Sequence, residues 1–411
     1  MEQTFYFIII GALLGEYFLS TVSAILNMNS ITEKVPAQFR DVYDAGKYSD
    51  SQAYLKANTR FGLLSSTFSL IAILVVIHSG LFGVLDQFVR EQTANPIFGG
   101  LIFFAIIFLI NDILNIPFSL YSIFVIEQKF DFNRTTPKTY ILDKLKGYLL
   151  TIIFGGLILG AVLYFFNSYS EDGWWIAWLV ITVFMIAVQP LFVHVIAPMF
   201  NKFTPLEEGD LRTAIEAYAT KVKFPIARID VMDGSRRSSH SNAYFSGLGK
   251  SKRIALFDTL LKKHSTEEIV SVVAHEVGHY KKKHTYLGTA LGILQMGVML
   301  FLFNLIMGET ALFDVFGVEQ VSVHAGMVFF GLLYAPVNLV TSLFTAALSR
   351  RNEYQADRYA LDTTYNREAL VNMLKGLAAS NLSHLTPHPL TVFLSYTHPP
   401  VGQRIEAVTA E

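Results

Sequence analysis

Seven stretches of this chain are each long and apolar enough to cross a bilayer, and that restricts what they can become. In hydrocarbon every backbone N–H and C=O must find its partner inside the segment, so a spanning stretch of this length folds as an α-helix. The stretches are Thr4–Leu26, Phe61–Leu85, Ile97–Val125, Gly147–Phe166, Trp174–Ile196, Tyr286–Met307 and Val323–Leu348. The composition agrees: 16% of the residues are charged, where a soluble enzyme carries about a quarter. The first stretch has no small-residue cleavage site and reads as a retained helix, not a signal peptide. Without cysteine there is neither a disulfide framework nor a thiolate site, and a formal net charge of −1 gives nucleic acid nothing to recognise.

The basic residues orient the helices, because cytoplasmic loops retain Lys and Arg. Lys34, Arg40, Lys47, Lys56 and Arg60 lie between the first two spans; Lys129, Arg134, Lys138, Lys144 and Lys146 lie between the third and fourth. The segment from Ala197 to Thr285 and the tail after Leu348 are also basic, and only Arg90 falls on the opposite side. The amino terminus is therefore expected outside and the carboxyl terminus in the cytoplasm, which in a bacterium means the inner membrane. Glu16, His78, Asn111, Asp112, Asn115, Gln189, Asn304 and Asn338 lie within spans. Singly, such groups read as interhelical hydrogen bonds; together they suggest a hydrated interior.

Between the fifth and sixth spans stands His275-Glu276-Val277-Gly278-His279. On a helix, histidines four residues apart share a face, so both imidazoles can bind one Zn²⁺. Glu276, beside the first, is placed to take the proton of a zinc-activated water as it attacks a carbonyl, which is the chemistry of peptide hydrolysis. Thr266 is a candidate N-cap; Glu267 and Glu268 begin the helix and Lys281, Lys282 and Lys283 end it, the order the helix dipole favours. Ile269, Val272, Val273 and Val277 form its buried side. Upstream, a helix over 210–222, a strand over 226–232 and a hairpin of Asn242-Ala243-Tyr244-Phe245 with Arg253-Ile254-Ala255-Leu256, turning at Gly247 and Gly249, complete a small α+β unit. The hairpin offers either an edge for an extended peptide or an ordinary core element.

A third ligand is expected after the seventh span, on the same side. In Ser349–Ala360, Glu353 and Asp357 share a helix face, so one carboxylate can bind metal while the other accepts the free N–H of a bound imidazole. Glu353 is read as the ligand. His284, five residues past His279, falls on another face and is set aside. His398 or Arg404 could donate to an oxyanion or hold a peptide carboxylate, or could belong to a turn that docks the tail. His240, His264, His384 and His388 have no evident partner and read mostly as surface residues. The expected division is 1–196 for the first five spans, 197–285 for the zinc insert, 286–348 for the last two spans and 349–411 for the ligand-bearing tail.

Phe200–Leu206, Asp233–Gly247, His275–His284, Ser349–Ala360 and His398–Arg404 together resemble the type I CAAX prenyl endopeptidases, integral-membrane zinc proteases, and the chain's compactness reads as a prokaryotic-type member. The resemblance implies a membrane α-helical fold, seven transmembrane helices around a hydrated chamber, capped by a cytoplasmic gluzincin-like α+β zinc domain. It implies one Zn²⁺ held by His275, His279 and Glu353, Glu276 as base, Asp357 behind the ligands, and Asn242 with Ala243 on the strand that aligns substrate. His398 and Arg404 would then stand near the scissile bond and the substrate carboxylate. The implied reaction removes the last three residues after a prenylated cysteine, on a peptide or protein partner in a lipid setting. Two other readings are a membrane quality-control protease for non-prenylated or misfolded peptides and a transporter with a structural zinc site; Glu276 beside an open coordination position argues against the latter.

Overall fold

The computed structural model describes residues 1–169, 171–246 and 253–410. The turn expected at Gly247 and Gly249 lies outside them. Among the described residues six helices are long and apolar enough to span a membrane: α1 (Glu2–Asn29), α2 (Ala45–His78), α4 (Pro96–Glu127), α5 (Pro137–Ser168), α6 (Gly173–Phe200) and α9 (His284–Ile306). A bent pair, α10 (Val323–Leu333) and α11 (Ala335–Thr364), which meet at 58°, makes a seventh if the two are counted as one span. Pro336 causes the bend by removing a helical N–H and crowding the turn before it.

The second span departs from expectation. Read from sequence as 61–85, it begins far earlier, on the Asp44 N-cap, and stops at His78. Gly80 takes a left-handed φ of 69° there, and α3 (Leu81–Gln92) sets off separately. Periodicity carried the apolar run through a break that only the glycine marks.

Neighbour contacts run from α1 to α2, α4, α5, α6 and α9, then through α10 and α11 back to α1, so the spans form a closed ring. One end of the ring is packed shut. There α10 crosses to touch α1, α4 and α5, and Phe82, Phe103, Phe313, Phe316 and Phe329 make one core while Val162, Leu163, Phe166, Phe303 and Phe330 make another.

At the other end sits an α+β module. Its sheet comprises β1 (Phe203–Pro205), β2 (Arg228–Met232), β3 (Ala243–Ser246) and β4 (Arg253–Phe257) in the order β1-β2-β4-β3. The central pair is parallel and both flanking pairs are antiparallel, with Phe245 opposite Ile254 at the β3 edge. Against the sheet lie α7 (Asp210–Lys221) and α8 (Thr266–Lys281), followed in the tail by α12 (Arg367–Ser380), α13 (Pro389–Ser395) and α14 (Val401–Thr409). The core joins Ile254, Leu256, Ile269 and Val273 to Leu370, Met373 and Ile405 of the tail, and to Phe39 and Tyr43 from the loop after α1. Asn133, after α4, adds a β-bridge to Ser238. The segments that follow the first, third, fifth and seventh spans thus meet on one side of the ring.

Candidate metal centre

The N-cap of helix α8 is Ser265, not Thr266: the Ser265 hydroxyl accepts the Glu268 N–H at 3.3 Å. Ile269, Val272, Val273 and Val277 are buried as their spacing requires, which turns His275 and His279 toward α11. The two helices approach closely because Gly278 faces Ala356; a Cβ there would stand 3.1 Å from Ala356 Cα.

His275 Nε2 and His279 Nε2 are 3.1 Å apart. Glu353 brings Oε2 to 3.4 Å from the first and Oε1 to 3.3 Å from the second. Four ligands at tetrahedral angles and bond lengths near 2.05 Å lie about 3.3 Å from one another, so this spacing fits a small divalent cation at their centre. The chemistry of the donors fits too, since Glu353 Oε2 is buried with no hydrogen-bond partner. These three residues also form the candidate metal-binding group among the described residues.

Behind the site, His275 Nδ1 lies 2.9 Å from Asp357 Oδ1. Arg404 holds the same carboxylate with two donors, Nε to Oδ2 at 2.7 Å and Nη2 to Oδ1 at 2.6 Å. Burial alone would lower the His275 pKa, but the Asp357 and Glu353 carboxylates outweigh it and push it up to about 9. Burial raises the Glu276 carboxyl above its ordinary value, against the pull of the two imidazoles, and the Phe245 backbone N–H bonds to it. A base whose pKa is raised is better matched to accept a proton near neutrality.

A cavity of about 560 Å³ joins His275, Glu276, His279, Glu353 and His398 to Phe245 of β3 and to membrane-helix residues such as Gly288, Leu291, Thr345 and Leu348. His398 is 64% exposed and brings Nε2 to 3.4 Å from Glu353 Oε1. Arg404, read as a group near the substrate, is instead buried behind Glu353 and Asp357 and is not among the residues lining this cavity. Its fork is taken up by Asp357, which leaves little of it for a peptide. Asn242 precedes β3; its Oδ1 accepts the Ala243 N–H at 2.8 Å and its carbonyl accepts the Phe257 N–H at 3.1 Å.

Some participants were not legible in sequence. His284 Nδ1 lies 3.0 Å from His279 Nδ1, and its Nε2 lies 3.0 Å from Gln355 Oε1. The histidines read as surface residues have structural places. His240 stacks on Phe132 at 3.9 Å, the His264 side chain is buried against Glu268 at 2.7 Å, and His388 Nδ1 accepts the Leu390 N–H at the start of α13. The two nitrogens of His384 are buried.

The family model described as Peptidase family M48 matches residues 205–411, and the one described as CAAX prenyl protease N-terminal, five membrane helices, matches residues 25–202. The chain belongs to peptidase family M48. This M48 peptidase is 33% identical to CAAX prenyl protease 1 of Saccharomyces cerevisiae, over 91% of its own length and 88% of the relative's. It is 32% identical to the CAAX prenyl protease 1 homolog of Arabidopsis thaliana, over 98% and 97%. The crystal structure of S. mikatae Ste24p superposes with a TM-score of 0.91 at 32% identity, covering 98% of each chain. M48 membership makes the chain a metalloprotease, and the five-membrane-helix match with the apolar helices makes it a multi-pass membrane protein. It spans nearly the whole of these eukaryotic relatives, so compactness gives no ground for a prokaryotic-type assignment.

Proposed function

We propose that the chain is a zinc metalloendopeptidase that processes the C-termini of prenylated CAAX peptides, with His275, His279 and Glu353 as ligands of one Zn²⁺ and Glu276 as general base. The observation that carries this reading is the cavity itself, which places the ligand set and the Glu276 carboxylate against the walls of α9 and α11. A polar reacting end and a helix wall of mixed character, with Leu291 and Leu348 among Thr285, Gln295 and Thr345, suit a peptide with an apolar attachment. The names of the relatives support the same substrate class.

When bound, zinc supplies Lewis acidity that brings the pKa of a coordinated water toward neutrality. Glu276 then takes the proton on its carboxylate and delivers it to the leaving amine. The Phe245 N–H fixes that carboxylate beside β3. His398, open to the cavity, is placed to donate from its imidazole to the developing oxyanion. Arg404 acts at one remove, as the cation that holds Asp357 against His275.

Substrate alignment falls to the β3 edge. The Asn242 carbonyl bonds to β4, so by alternation the backbone groups of Ala243 and Phe245 point away from the sheet. Asn242 Oδ1 takes up the Ala243 N–H, which leaves the carbonyls of Ala243 and Phe245 for an extended peptide. A hydrated chamber inside the ring is supported by the polar groups its spans carry, with Glu16, Ser20, Ser66 and Ser342 lining one cavity of about 490 Å³ among α1, α2 and α11. The meeting of the odd-numbered loops on one side, together with their Lys and Arg, supports a cytoplasmic module and carboxyl terminus.

The test is cleavage of two CAAX peptides, farnesylated and unfarnesylated at the same cysteine, by wild type and Glu276→Gln in detergent. The wild type is expected to release the last three residues, preferring the farnesylated peptide. Glu276→Gln is expected to keep its zinc and lose about 10²- to 10⁴-fold in rate. Normal cleavage by the variant would refute the base assignment. Equal cleavage of both peptides would refute a role for the prenyl group.

A further inference from the structure

Both imidazoles that face Glu353 have their second nitrogen committed, and the two partners differ in kind. His275 Nδ1 meets the Asp357 carboxylate, an anion gripped by Arg404. His279 Nδ1 meets a neutral chain: His284 Nδ1 at 3.0 Å, then from His284 Nε2 to Gln355 Oε1 at 3.0 Å. We propose that His284 and Gln355 are positioning residues that fix the tautomer and ring orientation of His279, so that its Nε2 lone pair stands ready for the metal. The proposal rests on the metalloprotease reading above.

One arrangement of protons satisfies every contact. If Nε2 of His279 is to bind metal, its proton sits on Nδ1 and is donated to His284 Nδ1. That nitrogen must then be the unprotonated one, so the His284 proton sits on Nε2 and is donated to the Gln355 carbonyl oxygen. An imidazole accepts at one nitrogen while donating at the other, and a side-chain amide oxygen terminates the chain without adding charge. The reverse order would aim an N–H of His279 at His275 Nε2, 3.1 Å away, where two lone pairs need to converge.

The backbone explains how a residue five positions beyond His279 comes to lie against it. On an unbroken helix it would stand about 140° round the axis. Helix α8 ends at Lys281, Lys283 turns with a left-handed φ of 61°, and His284 opens α9 in a new phase. His284 is 8% exposed and so held by its surroundings, while Gln355 lies two residues past Glu353 on α11. The relay therefore ties the helix of the two histidines to the helix of the third ligand through the start of a membrane span. A metal-binding histidine usually has such a partner, and its loss typically weakens metal affinity 10- to 100-fold.

The experiment uses the full chain purified in detergent and stripped of metal. Zinc affinity is measured against a competing chelator, and Co²⁺ is added to read the ligand geometry from its visible absorption. His284→Ala is expected to bind zinc about 10- to 100-fold more weakly with an altered Co²⁺ spectrum. His284→Asn, whose Oδ1 stands close to the place of Nδ1, is expected to recover most of both. Gln355→Met, which keeps His284 and removes its acceptor, should shift affinity in the same direction by less. Wild-type affinity and spectrum in a folded His284→Ala would overturn the relay, and should that variant not fold, the same result in Gln355→Met would do so. A wild-type chain that binds neither metal would instead overturn the functional reading beneath it.

Discussion

The two ends of the ring are packed like the interiors of soluble proteins, while the stretch between them is not. At the closed end Phe316 and Phe329 stack at 3.9 Å and 6°, and Asp86 is held between His324 at 2.8 Å and Arg90 at 2.6 Å. At the module end the metal helix is buried on three sides by sheet, tail and loop. Midway along the spans, large apolar side chains such as Ile152, Leu157, Val183 and Leu294 stand open. Close packing is concentrated where helices converge, and between the ends the spans leave apolar surface uncovered by protein, as a bilayer permits. Helices in a bilayer can leave such surface to lipid tails, which are as apolar as Leu.

This contrast can be broken or sharpened by experiment. The largest effect is expected where α8 meets α11. Gly278→Val puts branched carbon where a single Cβ already comes within 3.1 Å of Ala356 Cα and oxygen, so the helices separate, His279 leaves Glu353, and zinc and cleavage are lost together. Full zinc content in that variant, measured by metal analysis, would show that the module is more compliant than its packing implies. At the closed end, Phe329→Ala removes a ring with no exposed surface and should cost about 3–5 kcal/mol, read as a fall in Tm in detergent. Behind the metal, Asp357→Asn leaves Arg404 without its anion and should weaken zinc binding about 10- to 100-fold, by the chelator assay, while the fold persists. The smallest effect belongs to the middle. Leu157→Ala, at a side chain largely exposed, should change stability by no more than about 0.5 kcal/mol, and a drop comparable to that of Phe329→Ala would show that the mid-span surface is covered by protein after all.

What could be read without coordinates followed from local rules. The spans are set by length in hydrocarbon, and the His275–Glu276–His279 face by helical period. Glu353 and Asp357 were found by following the seventh span to the side on which it emerges. The failures have one cause, contacts between segments distant in sequence. Arg404 looked like a substrate-facing cation until α14 was seen to bury it against Asp357. His284 was set aside on the assumption of one continuous helix, which the left-handed Lys283 breaks. The end of α2 was misjudged because Gly80 changes direction without changing hydropathy.

The sequence by itself therefore determined that this chain is a membrane protein of about seven spans with a metalloprotease motif, since apolar length and a four-residue spacing are properties of single segments. Only the tertiary structure decided which imidazole answers to an ion pair and which to a neutral relay, where Arg404 points, and how loosely the spans are packed midway. Those depend on which side chains from remote parts of the chain share one small volume, and no spacing along the chain encodes that.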